Sequence, residues 1–314
     1  MEYAIERLLK FQLMNNDLEE AYREALSEIG YDLEEIYNEE VQFNLGSGLC
    51  GRIIGEYLDS LATMNVPCWA YGLRYEYGMF QQAVDDSGEI IEIPQQWLER
   101  GNPWELERAE IMYKVRLGGE SNINHITKEF EWHSEQIIQA VAYDIPLTGF
   151  NTFNTNNLRL WRSRPYLDDS DEEGEDAESL VEKIDKIQDA EYLTSIFYPN
   201  IPGQQHKEER LKQEYFYASA TLQDLMRRFK KDVMFQLNEF HEKNQILLNE
   251  MHSALAILEM LRILVDEEKL VWQQAWNTTH YTFSCAIYVN SHHNLEKWPV
   301  PVFQKVLPRH FQLI

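Results

Sequence analysis

The run Gly46-Ser47-Gly48-Leu49-Cys50-Gly51 places three glycines ahead of a stretch, Arg52 to Met64, that reads as a helix. Glycines at that position let backbone N–H groups face an anion at the positive end of the helix. The same letters spell GxGxxG, but a dinucleotide-binding turn follows a buried strand, and here Glu34 to Asn44 is acidic and poorly apolar. An anion-facing loop is the better reading. His292 and His293 are adjacent and point apart on a strand, with no further ligand at useful spacing, which argues against a metal. Between Asp168 and Asp176 seven of nine residues are acidic, without the glycine and bidentate glutamate spacing of a calcium-binding loop. Such a block repels itself and is expected to be a solvated loop, taken as residues 166–179.

His252 stands at the mouth of the amphipathic stretch Ala254 to Val265, where a histidine caps or packs a helix. Trp69, Tyr71, Tyr75 and Tyr77 have the faces to stack on sugar rings, although so apolar and glycine-spaced a run favours a core. The first forty residues predict helices. Ala4, Ile5, Leu8 and Leu9 share one face of a helix beginning at Met1. Leu18, Ala21, Tyr22, Ala25, Leu26 and Ile29 form a second stripe, with Asp17 as N-cap and Gly30 as stop. From Val66 to Ile93 short aromatic and β-branched runs predict strands, with a hairpin at Asp85-Asp86-Ser87-Gly88. Strands continue from Ile111 to Tyr143, and helices return after Ser179. This order argues for an α/β class with a mixed sheet flanked by helices.

At 314 residues, 44% hydrophobic and 12% aromatic, the chain can bury a substantial core. Its formal charge of −25 repels nucleic acid and anionic membrane surfaces, so neither is an expected partner. Three cysteines, Cys50, Cys68 and Cys285, form no CxxC and no dense framework, which suits a reducing compartment. The N-terminus lacks the unbroken apolar run of a secretory signal, and the greasiest stretch is broken by Glu259 and Arg262. A cytoplasmic protein is expected.

Longer words carry more. YGLRYEYGMFQQ at Tyr71 to Gln82, GNPWE at Gly101 to Glu105, YDIPLTGFNTFNTNNLRLW at Tyr143 to Trp161 and RLKQEYFYASATLQDLMRRFK at Arg210 to Lys230 resemble glycogen phosphorylase. FYPN at Phe197 to Asn200, LLNEMHSALAILEMLRILVDEEKLVWQQAW at Leu247 to Trp276 and WPVPVFQKVLPRH at Trp298 to His310 continue the likeness in the same order. The resemblance covers nearly the whole chain and identifies it as the N-terminal-domain portion of that family, residues 1–314 being part of one large domain.

The resemblance implies a glycosyltransferase of carbohydrate metabolism, one that cleaves α-1,4-glucan with inorganic phosphate in glycogen catabolism. The family's cofactor is pyridoxal phosphate, held by a lysine of a C-terminal domain that these residues do not match. The chain is therefore expected neither to bind the cofactor nor to act alone. Gly48 matches the first of two adjacent glycines in the family's phosphate-facing loop; Leu49 replaces the second, where close approach favours no Cβ. His252 matches a histidine near the glucosyl site, and Glu250 stands where the family has aspartate. Ile201-Pro202 replaces an aspartate and an asparagine that touch the sugar, and Tyr288 replaces a histidine that contacts it. Each lost hydrogen bond costs about 1 kcal/mol, so the replacements together weaken glucose binding by roughly two to three orders of magnitude. Arg227 and Arg228 match a pair that binds the phosphate of an activating nucleotide, a task suited to planar guanidinium forks. Leu180 to Phe197 matches the tower helix of the family's dimer interface. Leu180, Ile184, Ile187 and Leu193 would line either a seam or an ordinary core-facing helix. Glycogen or another α-glucan, a second copy, and a full-length phosphorylase are the partners implied.

Overall fold

The computed structural model describes residues 3–5, 8–40, 43–45, 49–78, 80–127, 129–166, 177–196, 204–231, 234, 236–249, 251–287, 291 and 295–314. The chain opens with β1 (Tyr3–Ile5), α1 (Leu8–Asn15), α2 (Glu19–Glu28), α3 (Leu33–Glu39), β2 (Phe43–Leu45) and α4 (Leu49–Thr63). Eight strands come next: β3 (Trp69–Leu73), β4 (Phe80–Val84), β5 (Ile90–Pro94), β6 (Leu106–Leu117), β7 (Glu120–Ile123), β8 (Phe130–His133), β9 (Gln136–Thr148) and β10 (Thr155–Pro165). The α-helices and strands that follow are α5 (Ala177–Tyr192), α6 (Gln204–Phe229), α7 (Phe240–Lys243), β11 (Ile246–Leu248), α8 (Leu255–Arg262), α9 (Trp272–Thr282), β12 (Phe283–Cys285), α10 (Val300–Val306) and α11 (Pro308–Leu313). The fold is mixed α/β. Its largest sheet has the order β3-β10-β9-β6, with β3 and β10 parallel, Asn157 opposite Trp69 and Trp161 opposite Leu73.

Chain contacts divide the molecule into two compact units, Met1–Ile111 with Val141–Arg162 and Thr194–Phe197, and Met112–Ala140 with Ser163–Leu193 and Tyr198–Ile314. In the first unit, Leu58 and Ala62 of α4, Leu73 of β3, and Leu158, Leu160 and Trp161 of β10 are buried. Trp69, Tyr71 and Trp161 stack in a ladder, with centroids 6.3 and 6.4 Å apart. Arg159, buried beneath Trp69, forms a bidentate pair with Asp144, both contacts 2.7 Å. Tyr75 is buried and its carbonyl accepts from the Trp97 indole at 3.1 Å. The aromatic run is thus largely a core, with Trp69 its exposed end.

Two N-terminal expectations are corrected. Ala4 and Ile5 lie in strand β1, paired antiparallel with β2, so the helix predicted from Met1 begins instead at Leu8. Asp17 is not a cap: it sits at φ +56, and Leu18 takes the N-cap position without a side-chain hydrogen bond. Gly30 does end α2, at φ +85, its amide donating to Ser27 O and that of Tyr31 to Leu26 O. That pairing satisfies two carbonyls left over at the helix end. The hairpin of β4 and β5 forms as expected, Asp85 Oδ1 accepting from the amides of Ser87 and Glu89, both at 2.9 Å.

In the second unit α6 packs against α8 and α10, and α11 against α8 and β7. Gly118 and Gly119 turn the chain from β6 into β7, both at positive φ, and a Cβ on Gly119 would lie 1.9 Å from the His133 carbonyl oxygen. A Gly119→Ala substitution therefore combines a clash with a strained backbone. It is expected to cost about 2 kcal/mol or more, read as a lowered urea midpoint.

Candidate functional site

Within the second unit, α6 carries Arg210 and Glu214 one turn apart on one face. A 3₁₀ turn, Met251–Ser253, carries His252 to them just before α8. Glu296, ahead of α10, completes the group, its amide 3.1 Å from Met251 Sδ. His252 Nδ1 lies 2.9 Å from Glu214 Oε1 and 3.1 and 3.2 Å from the two oxygens of Glu296. Arg210 Nε sits 3.1 Å from the same Glu214 oxygen. Around Glu214 Oε1 this is close charge contact, not a set of aligned hydrogen bonds.

Charge in so dry a place settles protonation. Burial is the strongest influence on His252 and by itself would lower its pKa, but Glu214 and Glu296 outweigh it and push the imidazole up to about 9. Burial also dominates Glu214, pushing it up to about 7 against the pull of His252 and Arg210. The two protons belong to one coupled cluster. At neutral pH His252 is accordingly a cation, suited to donating a hydrogen bond and unsuited to acting as a general base. The ligand-type atoms of Glu214, His252 and Glu296 lie within 4.8 Å of one another, with Arg210 against the same Glu214 oxygen.

Of the residues singled out in the sequence, His252 is engaged by two acids, Glu214 and Glu296. Glu250, Gly48, Ile201, Pro202, Tyr288, His292, His293 and the acidic run from Asp168 to Asp176 lie outside the described residues. The helix after the glycine loop is present as α4, with no acidic residue in its first turn. Arg227 and Arg228 occupy the last turn of α6. Arg227 donates to Asp224 Oδ1 at 2.8 Å and to the Tyr113 hydroxyl, so its fork is committed largely within the fold. A cavity of about 390 Å³ adjoins it, lined by Tyr113, Lys230, Lys231, Glu267 and Glu268 among others. In the α5 helix Ala190 is buried, and Leu193 just beyond it is also buried, while Val181 and Ile184 are exposed. The side chain of Leu180 lies outside the described set. Cys68 and Cys285 are free thiols.

Arg210, Glu214 and Glu296 are neighbours of His252 that sequence reasoning does not single out. The first two carry a usable signal, an Arg and a Glu at i,i+4 inside an apolar helical word. Glu296 carries none, because its partner is 44 residues away.

Comparison with known proteins now places the chain. The model of the carbohydrate phosphorylase family matches residues 26–314. Glycogen phosphorylase 2 of Dictyostelium discoideum is 40% identical over 320 residues, covering 100% of this chain and 32% of the relative. Glycogen phosphorylase of Saccharomyces cerevisiae is 38% identical over 335 residues, covering 100% and 36%. The α-glucan phosphorylase H isozyme of Vicia faba is 38% identical over 322 residues, covering 100% and 37%. The chain belongs to the carbohydrate phosphorylase family. It spans about a third of the length of the relatives it matches.

The elevated His252 pKa has a measurable sign. Its folded value of about 9 lies above the ordinary 6.5, so the cluster's contribution to stability is complete below pH 6.5 and is lost as pH rises through about 9. A ¹³C-histidine NMR titration should show one ring titrating near pH 9. Glu214→Gln should bring that midpoint down by about one pH unit, or ~1.4 kcal/mol.

Proposed function

We propose that these residues form the N-terminal-domain portion of an α-1,4-glucan phosphorylase and supply one wall of its glucan site, without phosphorolytic activity of their own. The observation that carries this reading is alignment over the full chain with α-glucan phosphorylases, at about a third of their length. The His252 cluster supports a positioning role: an imidazolium held by Glu214 and Glu296 offers a fixed hydrogen-bond donor to a sugar hydroxyl. Glu250 would accompany it.

The cofactor of such enzymes, pyridoxal phosphate, supplies the proton-relaying phosphate when bound. On this chain the amino end of α4 suits it. Its first turn bears no carboxylate to compete for the helix's positive end, and Gly48 immediately precedes it. The anchoring lysine is expected from the remainder of a complete phosphorylase. Arg227 and Arg228 keep the reading of an effector-phosphate pair, weakened at Arg227 by its contacts with Asp224 and Tyr113. The free thiols of Cys68 and Cys285 suit the cytosol.

A second reading, a non-catalytic protein that binds glucan or pairs with a second copy or with a full-length phosphorylase, is favoured by one observation. Val181 and Ile184, one turn apart on α5, are 57% and 44% exposed. They lie in the stretch at about 180–197 that resembles the family's tower helix, observed as α5 from Ala177 to Tyr192.

The purified 314-residue chain, incubated with glycogen, phosphate and pyridoxal phosphate, is expected to release no glucose 1-phosphate above a protein-free control and to retain no pyridoxal absorbance after dialysis. Chain-dependent sugar phosphate would overturn the proposal. Stoichiometric co-purification with an intact phosphorylase, abolished by Val181→Glu, would move the assignment to the second reading.

A further inference from the structure

Three polar attachments fasten the last helix to the second unit. Arg309 grips Asp266 with two contacts of 2.7 and 2.8 Å, and its guanidinium lies 3.7 Å over the Phe130 ring. Gln312 donates to the Ser121 carbonyl at 2.8 Å and accepts from its hydroxyl at 3.0 Å. Between them His310, with no exposed surface, places Nε2 2.7 Å from Glu259 Oε2.

Glu259 fixes the state of that histidine. Its carboxylate is held ionised: burial would raise its pKa, but the Arg262 guanidinium and the His310 contact hold it well below the usual carboxylate range. An ionised carboxylate only accepts, so the proton of the contact sits on His310 Nε2. Nδ1 is then a bare lone pair, and it has no hydrogen-bond partner among the described residues. A second proton would have to go there, onto a buried nitrogen facing no acceptor among the described residues.

Nor does the surrounding charge welcome it. From α8 come Glu259 and Arg262, the latter also paired at its outer edge with the half-exposed Glu267 of the turn that follows; from α6 comes the neutral Tyr215; β8 brings Trp132 and β7 brings Ser121. Arg309 on α11 itself is balanced by Asp266. An imidazolium at position 310 would be a buried cation whose added proton on Nδ1 meets no acceptor among the described residues, 4.8 Å from the Tyr215 ring centroid and 5.6 Å from that of Trp132.

We propose that His310 is an acid-sensitive latch: neutral and locked as the Nε2–H tautomer it holds α11 on α8, and protonation at Nδ1 releases the α10–α11 segment from α8 and the β7–β8 hairpin. The direction of its shift agrees, since burial lowers the His310 pKa and Glu259 does not restore it. With the folded pKa below 6.5, the latch's stabilisation is complete above that value and is lost as pH falls through the folded pKa. His252 and Glu214 act in the opposite sense: both pKa values are raised, so acid strengthens that cluster and cannot mimic the latch.

The test is hydrogen exchange on the full chain at pH 7 and pH 5, expressed as protection factors. Protection in 300–313 should fall ahead of α6, by up to about tenfold for each pH unit between 6.5 and the folded His310 pKa, and level off below it. ¹⁵N shifts of the His310 ring should show a protonated Nε2 and an unprotonated Nδ1 at pH 7. His310→Gln, which keeps a donor but cannot take a charge, should hold protection in α11 constant between the two pH values. Three results would each overturn the latch: His310 titrating at or above 6.5, α11 protection unchanged in the wild type down to its midpoint, or protection falling in α6 and α11 together. The wild-type measurements decide the matter even if His310→Gln does not fold.

Discussion

Glu259 is the charge on which the helices of the second unit converge. It has no exposed surface, and taking such a carboxylate out of water costs several kcal/mol unless donors replace the lost hydration. Five contacts do so: Tyr215 Oη at 3.1 Å, Ser219 Oγ at 2.8 Å, Arg262 Nε and Nη2 at 2.7 and 2.9 Å, and His310 Nε2 at 2.7 Å. These donors belong to α6, α8 and α11. Removing any one leaves part of a buried charge without a partner, so the three helices must be present together for any of them to pack well. Apolar packing tolerates small slips; this carboxylate fixes the register between the helices.

Immediately after Arg262 the backbone widens into a π-helical turn, Ile263–Glu267, with the Glu268 amide bonded to the Ile263 carbonyl at 2.9 Å. Such a turn inserts a residue and re-aims the side chains beyond it. Here Asp266 meets Arg309, and Glu267 meets Arg262 Nη1 at 2.9 Å. The local irregularity and the charge network are thus one feature. An unbroken α-helix would rotate Asp266 and Glu267 by part of a turn and leave the two guanidinium groups short of partners.

How much the sequence reveals divides along the range of the interaction. Asp85-Asp86-Ser87-Gly88 declares its turn because Asp85 bonds amides two and four residues on, and Gly30 ends its helix for an equally local reason. Strand β1 is hidden because Ala4, Ile5, Leu8 and Leu9 suit a helix, while the strand exists through Phe43–Leu45 far along the chain. In sequence Glu259 and Arg262 look like mere interruptions in a greasy stretch. An i,i+3 acid–base pair ordinarily faces water, and nothing local shows that Tyr215, 44 residues before, and His310, 51 residues after, close over it. His252 is legible as a residue of interest through the words around it, but its chemistry is not, since the carboxylates that charge it sit on other elements.

The two histidines show how the same side chain is set to opposite ends of its range. Both are desolvated, and in both a carboxylate stands within 3 Å of a ring nitrogen. At His252 the neighbouring Glu214 has its pKa raised and Glu296 adds a second negative charge, so the imidazole gains by keeping its proton. At His310 the carboxylate is already neutralised by Arg262, and the ring contributes only a dipole. Proximity to an acid therefore does not charge a histidine; an uncompensated acid does. That rule separates a histidine held as a cation from one held as a neutral donor. It also explains why a single proton, arriving as the pH falls, leaves the first in place and is costly at the second.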